Sequence, residues 1–225
     1  MNKISERLEK ISELLIEGRS MADIGSDHAA LPIFCISRNL VTHVFITDVN
    51  IGPLCRATEN ISSSGLEISR FSFLQGDGLS PLRGMEVASA VIAGMGGELI
   101  ASIIEGEPEI ASGIERFILQ PRSRSGELRM RLWKAGYRID SEHLAREGGR
   151  ICEILNVSSG YQEPYEDPDI PRAEGILMLE FVEKKVVDIS KIIENLDNSI
   201  NKDALELREI MKSKLLNLEA LRKNL

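Results

Sequence analysis

Four short turns in the first hundred residues carry acids and glycines in an arrangement that can hold a nucleoside. The first is Asp23-Ile24-Gly25-Ser26-Asp27-His28, the second Asp48-Val49, the third Gly76-Asp77-Gly78 and the fourth Ala93-Gly94-Met95-Gly96-Gly97. Each follows or ends a short apolar run. A glycine turn lets backbone approach a ligand closely. An acid at the end of a second strand can accept from both hydroxyls of a ribose, and an acid after a third can accept from an adenine amino group. Asp48 lies 25 positions after Asp23, close to the roughly 20-residue interval between a glycine turn and a ribose acid. Taken singly, the signals have plainer readings. Gly25 lacks the usual G-x-G partner, Asp48 could cap the next helix, Asp77 could be a turn residue, and His28 could simply open a helix. Their joint order favours a nucleotide-like cofactor.

Such turns act together only if the intervening segments bring them to one edge. Met21–Gly25, Val44–Asp48, Phe71–Asp77, Ala88–Gly97 and Arg116–Pro121 read as five buried strands. Helical patterns fill the gaps at Ala29–Asn39, from Gly52-Pro53 to about Ser64, and at Glu98–Ile104. An opening helix places Ile4, Leu8, Ile11 and Leu15 on one face and closes at Gly18. Strand and helix in alternation predict a parallel sheet covered on both faces. A further helix, Ser125–Ala135, precedes Tyr137–Ala145 and Ile151–Ser158, which a turn at Glu147-Gly148-Gly149 joins into a terminal hairpin. The predicted fold class is therefore α/β: a Rossmann-like, mostly parallel sheet ending in an antiparallel hairpin, as in class I methyltransferases. In such sheets ligands bind beyond the carboxyl ends of the strands, which is where the four turns fall.

Composition changes after residue 158. Gly160–Pro171 holds three prolines among acids and reads as a linker. Leu179, Val182, Val186, Ile189, Ile193, Leu196 and Ile200 then follow heptad spacing, and Leu207, Met211, Leu215, Leu218, Leu221 and Leu225 line a second helix after a turn at Asn198–Asp203. The expected division is 1–160 as the cofactor-binding domain and 161–225 as linker and C-terminal α-helical hairpin. Spacing alone leaves open whether that hairpin packs within one chain or makes a dimer.

The 225 residues carry a net charge of −8, which argues against nucleic acid until the distribution is considered. Between Arg116 and Arg150 there are nine Lys or Arg against four acids. That patch either meets phosphates or is an ordinary solvated face. Cys35, Cys55 and Cys152 are scattered, without metal-ligand or disulfide spacing. No metal site is expected. The start of the chain lacks the apolar run of a signal peptide, and no stretch reaches the length of a membrane span. The expectation is a cytoplasmic protein with no membrane partner.

The strings MADIGSDHAALP (Met21–Pro32), QGDGL (Gln75–Leu79), AGMGGELI (Ala93–Ile100) and LQP (Leu119–Pro121), with Gly52-Pro53 between the first two, resemble the bacterial tRNA adenine-22 N(1)-methyltransferases. The likeness runs from Arg7 to about Val157. It implies S-adenosylmethionine as cofactor, tRNA as partner and an antiparallel coiled coil at the C-terminus. Carried over by position, it implies a cofactor site of Asp23, Gly25, Ser26, Asp27, Asp48, Val49, Gly76, Asp77, Gly78, Ala93, Gly94, Met95 and Gly96. Asp27 and His28 would lie near the sulfonium as catalytic candidates, and Arg122, Arg124, Arg129 and Arg131 would contact RNA. Arg122-Ser123-Arg124 follows the LQP proline where members often carry Asn, a difference that falls on the target-base pocket. Ala93-Gly94-Met95-Gly96 stands where enzymes methylating exocyclic amines carry an Asn-Pro-Pro-Tyr type motif, which argues against amine methylation. Competing readings are a methyltransferase for another RNA, a protein or a small molecule, an NAD-dependent oxidoreductase, and a non-catalytic RNA-binding protein on the same fold.

Overall fold

The computed structural model describes residues 4–26, 28–197 and 201–225. The chain forms two compact units, 1–172 and 173–225. In the first, β1 (Met21–Ile24), β2 (Val44–Asp48), β3 (Phe71–Gln75), β4 (Ser89–Gly96) and β5 (Arg116–Ser123) run parallel. The hairpin of β6 (Tyr137–Glu147) and β7 (Arg150–Ser159) completes a seven-stranded sheet in the order β3-β2-β1-β4-β5-β7-β6. β7 pairs antiparallel with both β5 and β6. The predicted strands and terminal hairpin are all present, with boundaries shifted by at most two residues.

Alternation along the strands assigns each side chain to a face. Ala22 and Ile24, Ala90 and Ile92, Phe117 and Leu119, and Leu155 and Val157 enter one apolar layer, together with α4 (Gly97–Gly106) and α6 (Ser125–Lys134). Met21, Val91, Ile118 and Ile154 enter the other, with α1 (Glu6–Glu13), α2 (Ala30–Ser37) and α3 (Ile51–Ser63). Asp23 keeps step with Met21, and Gln120 with Ile118. Both polar side chains therefore belong to the α1 face, which decides what they meet. A short helix, α5 (Pro108–Ser112), precedes β5; five residues carry no period from which to predict it.

Residues 161–172, read from sequence as a linker, cluster with the first unit. The Tyr165 hydroxyl donates to Glu142, and the Pro168 carbonyl accepts from Arg129 at 3.0 Å. A Cβ on Gly126 would lie 2.2 Å from Asp169 Oδ1, so only glycine lets this segment lie against α6.

The second unit is α7 (Ile176–Asp197) and α8 (Lys202–Asn224), packed together across a short connection and hence antiparallel. Val182 and Leu218 are buried, and Val186, Ile189, Ile193, Leu196, Met211 and Leu215 half-buried. Leu207 and Leu225, expected in this seam, are 42% and 52% exposed. Ala204, Met211, Leu215 and Leu218 supply the covered side of α8 instead, and Leu207 falls beside it. Ile200 and most of the expected turn lie outside the described residues. Among the described residues no helix is long and apolar enough to cross a membrane.

Candidate active site

The carboxyl ends of β1 to β5 converge on one rim. Register fixes the level of each turn: Asp23 lies opposite Ile46 and Val91, Asp48 opposite Gln75, and Ala93 opposite Gln120. The Gly25 and Ser26 amides both donate to the Thr47 carbonyl, at 2.8 and 3.3 Å, and the Gly76 amide to the Asp48 carbonyl at 3.1 Å. The first three turns are thus hydrogen-bonded side by side.

Their local geometry suits a close ligand. Gly25, Gly78 and Gly94 have φ of +74°, +54° and +79°, a region that side-chain-bearing residues avoid. A Cβ on Gly25 would come within 2.2 Å of Met95 Cε, whereas nothing lies within 4 Å of one on Gly94. The fourth turn therefore offers open backbone to the cleft. Register shifts at Ala93/Met95 and Met95/Gly96 bend β4 there. Ala29 is left-handed at φ +53° without being glycine. Such a conformation costs of order 1 kcal/mol and is common beside functional sites; here it turns β1 sharply into α2.

Asp48 is half-buried, and its Oδ1 accepts from the Asn50 amide at 2.7 Å. It therefore does not cap α3, whose N-cap is Asn50. Val49 is 59% exposed beside it, and Asp77 and His28 are exposed. Asp27 lies outside the described residues. Asp23 is buried, and that burial lifts its carboxyl to about 6, against the hydrogen bond from Ser26 and the charge of Arg7. These groups fit a nucleoside that carries an ammonium: carboxylates for its hydroxyls and amines, with glycine backbone that allows close approach beside them.

Sequence reasoning missed a second set of residues on the α1 face. Arg7 donates from Nε to Glu147 Oε2 at 2.6 Å and from Nη1 to Gln120 Oε1 at 3.2 Å. Gln120, 3% exposed, also accepts from the Gly94 amide at 3.1 Å and donates to the Pro121 carbonyl at 2.9 Å. One buried carboxamide thus ties the fourth turn, β5 and α1 together. Partial burial would raise Glu147, yet hydrogen bonds from Arg7 and Ser5 and the charges of Arg7 and Arg122 hold it below the usual range. A groove of about 1190 Å³ lies along α1, α2 and α3, with His28 and Glu147 among its lining; it does not reach Asp48 or Asp77.

The arginines assigned to RNA do not form one surface. Arg129 is fully buried, with Nη2 on Glu153 at 2.6 Å and Nε on Glu142 at 3.0 Å. It cannot reach a phosphate, and that assignment is corrected: its charge serves the interior of the fold. Arg131 is held by Glu105, Ser102 and the Glu98 carbonyl, and Arg124 by Glu98 and Glu127. Arg122 is exposed at the end of β5. Among the described residues no group of His, Cys, Asp and Glu is placed to hold a metal ion.

A sheet of this order, with its ligand turns at the carboxyl ends of the parallel strands and a closing hairpin, is the architecture of class I methyltransferases. Residues 4–155 match the family model described as a methyltransferase domain. The chain is 35% identical over 199 residues to the tRNA (adenine(22)-N(1))-methyltransferase of Bacillus subtilis, covering 88% of this chain and 83% of that protein, and it belongs to that family. A solved Bacillus subtilis m1A22 tRNA methyltransferase superposes with a TM-score of 0.82 and 26% identity, over 98% of this chain and 99% of its own. The Streptococcus pneumoniae protein Sp1610, in complex with S-adenosyl-L-methionine, does so with a TM-score of 0.86 and 28% identity, over 98% and 100%.

Proposed function

We propose that this protein transfers a methyl group from S-adenosylmethionine to the N(1) ring nitrogen of an adenine in tRNA, at position 22 as in its Bacillus subtilis relative. The observation that carries the reading is the convergence of Asp23, Asp48 and the Gly94 turn on one rim, in a chain of this family. The relative Sp1610 in its S-adenosyl-L-methionine complex supports the cofactor.

When bound, the cofactor supplies an already activated methyl on its sulfonium, so the protein's task is alignment. Asp48 accepts the ribose hydroxyls, with Val49 beside the base. Asp77, between Gly76 and Gly78, accepts from the adenine amine. Asp23, Gly25 and Ser26 hold the methionine end, and the open peptides from Ala93 to Gly96 leave room for the edge of the target base. N(1) has an in-plane lone pair and needs no deprotonation, but its product is a cation. A carboxylate at the target side stabilises that developing charge; Asp27 is our candidate, with His28 next to it. A paired or stacked adenine must first leave its stack to reach the rim. A tRNA substrate supports a cytoplasmic site of action.

The test is incubation of the protein with methyl-labelled S-adenosylmethionine and total bacterial tRNA, followed by mapping of the modified nucleotide. Label at N(1) of adenine 22 is expected, and Asp27→Ala should cut turnover at least tenfold with little change in cofactor affinity. Label elsewhere, or none, overturns the reading.

A further inference from the structure

The cationic side chains that remain available at the site are not on α6. Along β7, Arg150 keeps step with Cys152 and Ile154 and so emerges on the α1 face at the carboxyl rim. Arg122 is the extra residue of β5 at the register shift opposite Met95 and Gly96, and its charge is felt at Glu147 and Cys152 on that same face. Arg150 sits opposite Glu147 at the tip of the hairpin. The Cys152 thiol marks the cluster's centre: partial burial and Glu147 raise it, while Arg7, Arg150 and Arg122 pull it the other way. Glu147 is already held by Arg7 and Ser5. Arg122 and Arg150 are exposed and form no ion pair among the described residues. Arg146 belongs to the opposite face of β6, but its backbone amide donates to Glu6 at 3.1 Å. Counting Arg7, Arg122 and Arg150 against Glu6 and Glu147, this corner carries one more positive charge than negative in a chain of net charge −8. The Gly148-Gly149 turn at its apex has no side chains to keep a polyanion away.

We infer that Arg122 and Arg150 form a phosphate clamp on the α1 side of the rim, gripping the RNA backbone next to the nucleotide that enters the site. This rests on the proposed tRNA reaction and specifies which surface of the protein meets the strand. The clamp is one residue from the Gln120–Pro121 segment at one end and at the free tip of a hairpin at the other. A strand held there passes the Gly94 turn. Guanidinium groups suit phosphates because they donate two parallel hydrogen bonds and stay charged.

The test is binding of a tRNA transcript to the full-length protein across a salt series, with S-adenosylhomocysteine affinity as a check on the fold. Arg122→Glu/Arg150→Glu should weaken tRNA binding at least tenfold with cofactor affinity unchanged. Arg122→Gln/Arg150→Gln should make the slope of log affinity against log salt shallower by about 1.4–1.8, two contacts at about 0.7–0.9 each. Arg124→Ala/Arg131→Ala should change affinity less than threefold. A wild-type slope in the Gln pair, or a larger loss from the α6 pair, would overturn the clamp while the tRNA reaction stood. If the wild-type protein shows no salt-dependent tRNA binding at all, the proposed function falls and the clamp falls with it.

Discussion

Arg7 and Arg129 reach the antiparallel end of the sheet from helices on opposite faces, and the protein answers them differently. Arg129 comes from α6 and meets Glu142, Glu153 and the Pro168 carbonyl, with the Tyr165 ring 5.7 Å away. Its exposure is 0%. Two carboxylates face one guanidinium, and the cluster is closed. Arg7 comes from α1 and has one carboxylate, Glu147, 40% exposed, with Nη1 on Gln120 and its charge felt at Asp23. That network is open, and it ends in the candidate site. A sealed ion cluster can fix a segment in place, whereas one with a free end transmits its charge and position to groups that do chemistry.

The largest expected effect breaks the closed side. Arg129→Met leaves Glu142 and Glu153 without their cation in a buried setting, which should cost about 3–5 kcal/mol of folding stability. Urea unfolding would measure it, and a loss below about 1 kcal/mol would mean that the cluster is solvated after all. The salt dependence of tRNA binding should not move.

The next effect probes the open side through pH. Asp23 is raised from 3.8 to about 6 when folded, so the folded chain binds its proton more tightly than the unfolded one. The contribution of neutral Asp23 to stability is fully present below pH 4 and is lost as pH rises through 6. By 1.36 kcal/mol per unit, the difference is about 3 kcal/mol. Asp23→Asn should therefore be more stable than wild type at pH 7.5 by up to that amount, with the gap closing towards pH 4. S-adenosylhomocysteine affinity, read by calorimetry, should fall in the wild type as pH drops below about 6 and be weaker and flatter in Asp23→Asn. Arg7→Met should push the wild-type midpoint upward; Arg129→Met should leave it in place. Identical midpoints in all three would dissolve the distinction between the networks.

The smallest effect isolates the carboxamide. Gln120→Ala releases the Gly94 amide, a neutral hydrogen bond worth about 0.5–1.5 kcal/mol, and the long 3.2 Å charge-assisted one from Arg7 Nη1. Turnover should fall about tenfold with cofactor affinity nearly unchanged. Equal losses in both would show that Gln120 supports the whole rim and does not selectively position the fourth turn.

Much of this was legible in the residues. The strands are apolar runs bounded by turns, and their order and closing hairpin followed from that rhythm. The four turns are legible through their joint order and spacing, since each glycine or acid taken singly has a plainer use. Reading Arg129 as a surface charge failed because a run of basic residues was taken as a single patch. The corrective signal was there: Leu128, Arg129 and Leu132 share the inner face of α6. Gln120 left a signal of its own: one amide inside the apolar run RFILQP announces a buried hydrogen-bonding role. Arg7 was not legible, since its partners lie 113 and 140 positions away. Residues 161–172 were read as a linker because their attachment uses a tyrosine hydroxyl, a backbone carbonyl and a glycine contact, none of which has a period.

In β6, Ile139 pairs with Val157 and Ser141 with Asn156, so Asp140 has no partner across the ladder. The strand thereby carries one residue of slack. Removing Asp140 would straighten the hairpin with every later pair still matched, whereas removing any residue from Leu144 to Arg146 would turn part of the strand over. Glu142 and Glu147 differ by an odd number of positions, which is why each faces its own arginine. A deletion within β6 is therefore best tolerated at Asp140, and the length of the stretch between those two glutamates is as constrained as their identity.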